Sequence, residues 1–179
     1  MELVLRLPRL DEEEEFLRAH RATSPGVPNF LHHYDDGMTF GQLLEVLAAH
    51  ARGEELPIGH VASTFLFGFS GPRIVGRVSI RHELNPTLER VAGHIGYVVV
   101  PSFRRQGVAT EMLRQALRIA REQLGLRRVL VTCDYDNIGS ARTIEKNGGV
   151  LEDVITDPDL PKAKRRYWID TDAVTAREA

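Results

Sequence analysis

Gly93-His94-Ile95-Gly96-Tyr97-Val98-Val99-Val100-Pro101-Ser102-Phe103-Arg104-Arg105-Gln106-Gly107-Val108-Ala109-Thr110 is the stretch on which the fold turns. Residues 94–100 are apolar and β-branched, as a strand requires, and Pro101 stops them because it cannot donate to a ladder. A helix is expected from about Val108. Ala109, Met112, Leu113, Ala116, Leu117 and Ala120 form one stripe, and Arg114, Arg118 and Arg121 fall on the other side. Between strand and helix lies an anion site in outline. A helix start presents unpaired N–H groups and a positive partial charge, which phosphate oxygens satisfy. Gly107 removes a side chain where the backbone must approach the anion, Ala109 keeps the next turn small, and Arg104 and Arg105 add full charge.

Downstream, Val129-Leu130-Val131-Thr132-Cys133 is a near-continuous apolar run, the pattern of a strand buried on both faces. A shorter helix is expected over 138–147, stopped by Asn147-Gly148-Gly149, and two last strands over 150–156 and 164–170. Upstream, 61–69 and 73–81 read as a hairpin turning at Ser70-Gly71-Pro72, with Asn85-Pro86 breaking its second strand. Asp11 to Glu15 open a first helix as a solvated acidic start, and Thr39 caps a second one carrying Phe40, Leu43, Leu44, Val46 and Leu47. Residues 23–38 read as a long loop. The order predicts an α/β fold: one domain over 1–179, built on a mixed, mostly antiparallel sheet flanked by helices.

The composition is that of a globular protein, with 42% apolar and 27% charged residues among 179. A formal net charge of −2 gives no reason to expect nucleic-acid binding. No run approaches the roughly 20 apolar residues that cross a bilayer. Met1 to Pro8 lack the basic segment and apolar core of a signal peptide, so a soluble, cytoplasmic protein without membrane partners is expected. Cys133 is the one cysteine, which excludes an internal disulfide. No Gly-x-x-x-x-Gly-Lys-[Ser/Thr] and no Gly-x-Gly-x-x-Gly occurs, which weakens nucleotide hydrolases and dinucleotide oxidoreductases.

The 93–150 stretch resembles the acetyl-CoA signature of the GNAT N-acetyltransferase superfamily. The Arg-x-x-Gly-x-Ala loop after its strand is followed by Asn137-Ile138-Gly139-Ser140-Ala141-Arg142-Thr143-Ile144-Glu145-Lys146-Asn147-Gly148, similar to that family's Asn-x-x-Ser…Glu-Lys-x-Gly segment. Arg81 to Asn85 and Thr143 to Gly149 resemble a branch of predicted acetyltransferases. The resemblance implies a single GNAT-like domain whose central strand pair is splayed, with acetyl-CoA as cosubstrate. Tyr97, Val98 and Val99 would pair with the pantetheine arm through their backbone. Arg104, Arg105, Gln106, Gly107, Val108, Ala109 and Thr110 would hold the pyrophosphate, and Asn137 and Ser140 would touch the cofactor arm. It also implies acetyl transfer to a primary amine by direct attack in a ternary complex, the acceptor being a small molecule or a peptide. A homodimer is left open.

The chain departs from the family where proton transfer is concerned. A base often sits at the position of Gly93 or Ile95, and a tyrosine donor at the position of Ile144; none of these residues carries a proton-transfer group. Substitute candidates are Glu83 and His82, at the end of the preceding strand, and Tyr167 on the last strand. His94 reads as a structural histidine, and Cys133 as a packed thiol. His32-His33, in the long loop, form a poor metal pair without further ligands at suitable spacing, so no metal is expected. The vacant positions sustain a rival reading, a non-catalytic acyl-CoA-binding sensor or regulatory module. An acyltransferase with a longer donor or a hydroxyl acceptor is a second rival.

Overall fold

The computed structural model describes residues 2–23, 30, 34, 37–156, 158 and 160–175. Strand β1 (Val4–Arg6) leads through a 3-10 turn at Leu10–Glu12 into α1 (Glu13–Thr23), followed by α2 (Phe40–Ala51). The hairpin β2 (Ser63–Ser70) and β3 (Arg73–Arg81) precedes a short helix α3 (Pro86–Val91) and β4 (Ile95–Val99). Then come α4 (Val108–Glu122), β5 (Arg128–Asp134), α5 (Ile138–Lys146), β6 (Val150–Ile155), β7 (Lys164–Asp170) and α6 (Thr171–Thr175).

The expected mixed sheet resolves into two antiparallel sheets, ordered β1-β2-β3-β4 and β5-β7-β6. They are joined by an isolated bridge between Gly93 and Val131. There His94 N–H donates to the Leu130 carbonyl at 2.7 Å, and Leu130 N–H donates back to His94 Nδ1 at 3.0 Å. Beyond that seam β4 forms a ladder with β3 alone. The splayed pair implied by the family resemblance is thus present.

Alternation along the strands separates two cores. Val78, Ile80 and Ile95 pack with Met112, Leu113, Ala116 and Leu117 of α4, and with Ala141 and Ile144 of α5. On the opposite face Phe65, Phe67 and Ile74 pack with Phe16 of α1 and with Phe40, Leu43 and Leu47 of α2. Thr39 caps α2 through a reciprocal box with Gln42. Two elements escape the sequence reading in an instructive way. Asn85-Pro86, read as a strand breaker, is also the cap and first residue of α3, with Asn85 Oδ1 accepting from Leu88 N–H at 2.9 Å. β1 is only three residues long and exists by pairing with β2. Among the described residues no helix is long and apolar enough to cross a membrane.

Candidate active site

The register of β4 on β3 fixes which of its backbone groups are spoken for. Val100 N–H donates to Val75 and Arg81 N–H to His94, so the even-numbered residues of this segment bond to β3. The N–H and C=O groups of Ile95, Tyr97 and Val99 therefore turn toward the open edge, where β5 has moved away. Of the expected pantetheine partners, Tyr97 turns its backbone there, and so does Val99, whose carbonyl accepts from Arg104 Nε. Val98 is paired with Arg77 and contributes its side chain to the second core instead.

The loop expected to receive an anion lies at the end of that edge. Gly107 caps α4 in the left-handed conformation (φ 82°), and Arg105, two residues earlier, is also left-handed (φ 63°). A non-glycine residue there is strained, and such turns direct N–H groups into a concavity that binds anions. The helix has no side-chain cap, so the N–H groups of its first turn are not satisfied by one. Arg104, Arg105, Gln106 and Gly107 are exposed, and Val108 is buried as the first residue of the helix's core stripe. Arg104 Nε lies 3.2 Å from the Val99 carbonyl, so this guanidinium spans the loop and the open edge. A side chain at Gly107 would meet no protein atom within 4 Å. The space beside that glycine is empty.

The second sequence element supports the first. Asn137 caps α5, its Oδ1 accepting from Ser140 N–H at 3.0 Å. Ser140 Oγ lies 2.7 Å from the Tyr97 hydroxyl, a bond that crosses the gap between β4 and α5. Burial pushes the Tyr97 phenol up to about 12, so it stays protonated at neutral pH. Burial also raises the Cys133 thiol, in keeping with a packed thiol. At the far end of α5, buried Asn147 donates to the Thr110 carbonyl at 3.2 Å, fastening the helix to the first turn of α4.

The catalytic candidates are not brought together. Glu83 is exposed on the bend after β3. His82 turns to the other side of the strand and pairs with Thr64 Oγ1 at 2.8 Å; burial lowers its pKa. Tyr167 is buried in the first core, and its hydroxyl donates to Glu145 at 3.1 Å. Burial is the largest cause raising its pKa. His94 is buried and held down to about 4, by burial first and by Arg81 second, which fits a structural histidine. Ile144 is wholly buried. His32 and His33 lie outside the described residues, and among the rest no cluster of potential metal ligands occurs.

Gly93 is vacant of a base for a backbone reason. Its φ is 69°, and a Cβ there would run into the Leu130 carbonyl oxygen and lie 2.9 Å from the carbonyl carbon. The seam between the sheets thus requires glycine. What sequence reading missed is a cavity of about 200 Å³ on the α1/α2 side of the sheet, lined by His60, Ser63, Phe65, Ser79, Arg81 and Leu88 among others. Ser79 and Arg81 stand on β3 beside Gly96 and His94. A signal for them existed: Arg77, Ser79 and Arg81 share one face by strand parity. A larger cavity of about 540 Å³ lies along α2, lined by residues such as Gln42, Glu45 and Arg52, and none of its lining residues belongs to β4, its loop or α5.

The open strand edge of β4 runs into a helix start without a side-chain cap. Residues 2–150 match the acetyltransferase (GNAT) domain, and the chain belongs to that family, whose acyl donor is acetyl-CoA. An uncharacterized N-acetyltransferase of Bacillus subtilis, YjdG, is 29% identical over 75 residues, 42% of this chain and 40% of that protein. The structure of the spermidine/spermine N-acetyltransferase SpeG from Vibrio cholerae, in mutant form, superposes with a TM-score of 0.66 at 17% identity, covering 99% of this chain and 98% of the other. The microcin C7 self-immunity acetyltransferase MccE, solved with acetyl-CoA and AMP, gives 0.68 at 17% identity, covering 94% and 92%. At such identities these likenesses speak for the fold.

Proposed function

We propose that this chain is an acetyl-CoA-dependent N-acetyltransferase acting on a primary amine by direct attack in a ternary complex. The observation that supports it is the continuity of the open β4 edge with the uncapped start of α4. Tyr97 and Val99 offer alternate N–H and C=O groups to a pantetheine arm, as an added strand would use them. The N–H groups and arginines of 104–109 would receive the pyrophosphate. An N–H of the same edge would stabilise the oxygen of the tetrahedral intermediate as negative charge develops on it. Ser140 and Asn137 act chiefly through the architecture: one ties Tyr97 across the gap, the other caps α5. The acceptor nitrogen must arrive as a free amine, and positioning it against the thioester supplies much of the acceleration.

Calorimetric titration with acetyl-CoA tests this reading, with Gly107→Trp as the diagnostic variant. The left-handed φ strains any side chain there by roughly 1–2 kcal/mol, but no protein atom lies within 4 Å of an added Cβ, so folding should survive while binding weakens at least about 100-fold, the loss of two or more charge-assisted bonds. Unchanged affinity in the variant, or no binding by the wild type, refutes the placement. The rival reading, a non-catalytic acyl-CoA-binding module, draws on Glu83, His82 and Tyr167 lying outside the cavity. CoA release across a broad amine panel separates the two: tight cofactor binding with no turnover on any amine favours the module.

A further inference from the structure

Arg77 and Arg81 point to the same side of β3, and neither has a carboxylate partner among the described residues. Arg77 is 4% exposed and spends Nε on the Phe30 carbonyl at 2.8 Å. Arg81 is half-buried and places one Nη on the Gly93 carbonyl at 2.9 Å. Buried cations are normally matched by an anion, because desolvation of a lone charge is costly. Burial lowers both guanidinium pKa values, that of Arg77 to about 10, and among the described residues no acidic group acts to raise either. Both remain charged at neutral pH. Among the described residues these two neighbouring positive charges have no counter-charge.

Arg81 lines the 200 Å³ cavity with Ser63, Ser79 and His60, so the missing anion has a place to sit. The cavity is one strand removed from the open edge of β4. Ser79 pairs with Gly96, its Oγ 3.4 Å from the Gly96 carbonyl, and Gly96 carries no side chain to wall the cavity off from β4. Among the described residues no Asp or Glu lines the cavity. That is the wrong lining for a polycation and the right one for an oxyanion: a planar guanidinium takes two oxygens at once, and hydroxyls complete the set.

We infer that the acceptor is an amine carrying a carboxylate or phosphate group, and that Arg81, with Ser79 and Ser63, grips that oxyanion while the amine faces the thioester; this rests on the acetyltransferase reading above. Arg77, behind Arg81, adds to the positive potential without touching the acceptor. The specificity that follows is for acidic amines over polyamines. In the reaction the amine nitrogen attacks the thioester carbon, the carbon–sulfur bond breaks, the thiolate takes up a proton, and the nitrogen's surplus proton passes to water. The oxyanion keeps its charge throughout.

The test uses the full chain and a panel comprising glutamate, phosphoethanolamine, spermidine and uncharged primary amines, followed as CoA release. The expected result is a kcat/KM for an acidic amine at least about tenfold above spermidine, as one charge-assisted contact implies. Arg81→Met should raise KM for the acidic amine roughly 10- to 100-fold more than it raises KM for an uncharged amine, a ratio that cancels any loosening of the seam at the Gly93 carbonyl. Carboxylate and phosphate amines are compared to name the oxyanion. Preference for spermidine, or an acidic-amine KM that Arg81→Met does not move, overturns the inference. Should Arg81→Met fail to fold, the wild-type panel and Ser79→Ala decide the matter. If acetyl-CoA does not bind, titration of the protein with the same acidic amines, monitored by NMR shifts, still tests the cavity. Binding lost in Arg81→Met would then uphold the oxyanion site while the acetyltransferase reading fell, and no binding by the wild type would overturn both.

Discussion

Replacing Gly93 by alanine should damage this protein out of proportion to one methyl group. Two costs combine. An L-residue at φ 69° is strained by roughly 1–2 kcal/mol. The new Cβ also collides with the Leu130 carbonyl, which cannot retreat without loosening the reciprocal His94–Leu130 hydrogen bonds. Losing one or two of those adds about 0.5–1.5 kcal/mol each. The total is on the order of 3 kcal/mol, which for a chain of this length lowers Tm by about 6–12 °C. Gly125→Ala is the matched control: its φ is 68°, but nothing lies within 4 Å of the added carbon, so only the strain term applies. Denaturant unfolding of the two variants beside the wild type measures the difference. Equal destabilisation by both would refute the claim that the seam is closed at Gly93 by backbone contact. Acetyl-CoA affinity should fall in Gly93→Ala as well, since the seam sets the opening between the sheets.

His94 should make stability depend on pH in a definite window. Its folded pKa of about 4 lies below the ordinary 6.5, so the unfolded chain binds the proton more readily. Stability is complete above about pH 6.5 and falls between there and about 4, by on the order of 2–3 kcal/mol, because the proton would displace the Leu130 N–H from Nδ1. Urea unfolding at pH 4.5 and 7 should show the fall, and His94→Gln should flatten it; an unaltered slope in the variant refutes the assignment. For Glu83, alanine substitution should shift or remove the acidic limb of the pH–rate profile if this exposed carboxylate is the base, and an unchanged profile excludes it.

The parts legible in the sequence were those whose residues act through backbone geometry. Val108 and the residues behind it announce a helix start and a core stripe, and the structure has both; the left-handed turn at Gly107 is the structure's addition. Asn137 entered the sequence reading only as an implied cofactor contact, and the structure adds that its side chain caps α5. Short elements were harder. β1 and α3 each depend on a neighbour: β1 on its pairing with β2, and α3 on Asn85, whose amide reaches the Gly59 carbonyl at 2.9 Å. The oxyanion cavity was invisible because its lining comes from three separate segments, and strand parity hints only at which face Arg77, Ser79 and Arg81 share. Gly93 shows the opposite problem. Its lack of a base looks like lost chemistry in the sequence, whereas it is a steric requirement of the joint.

The strand order β5-β7-β6 carries a consequence for how the molecule is made. β5 and β6 share no ladder; each bonds to β7, the last strand of the chain, which lies between them. As the polypeptide leaves the ribosome, β5 and β6 therefore emerge without a partner, and the family match itself stops at residue 150, before that partner begins. The first sheet can zip as its hairpins appear, but the second has to wait until Lys164 to Asp170 arrive and carry Tyr167 and Ile169 into the core. Until then β6, whose Val150, Leu151 and Val154 stay exposed even in the finished fold, has no strand beside it. The interval between synthesis of residue 134 and residue 170 is where this chain is most exposed to chaperones, proteases and its own copies.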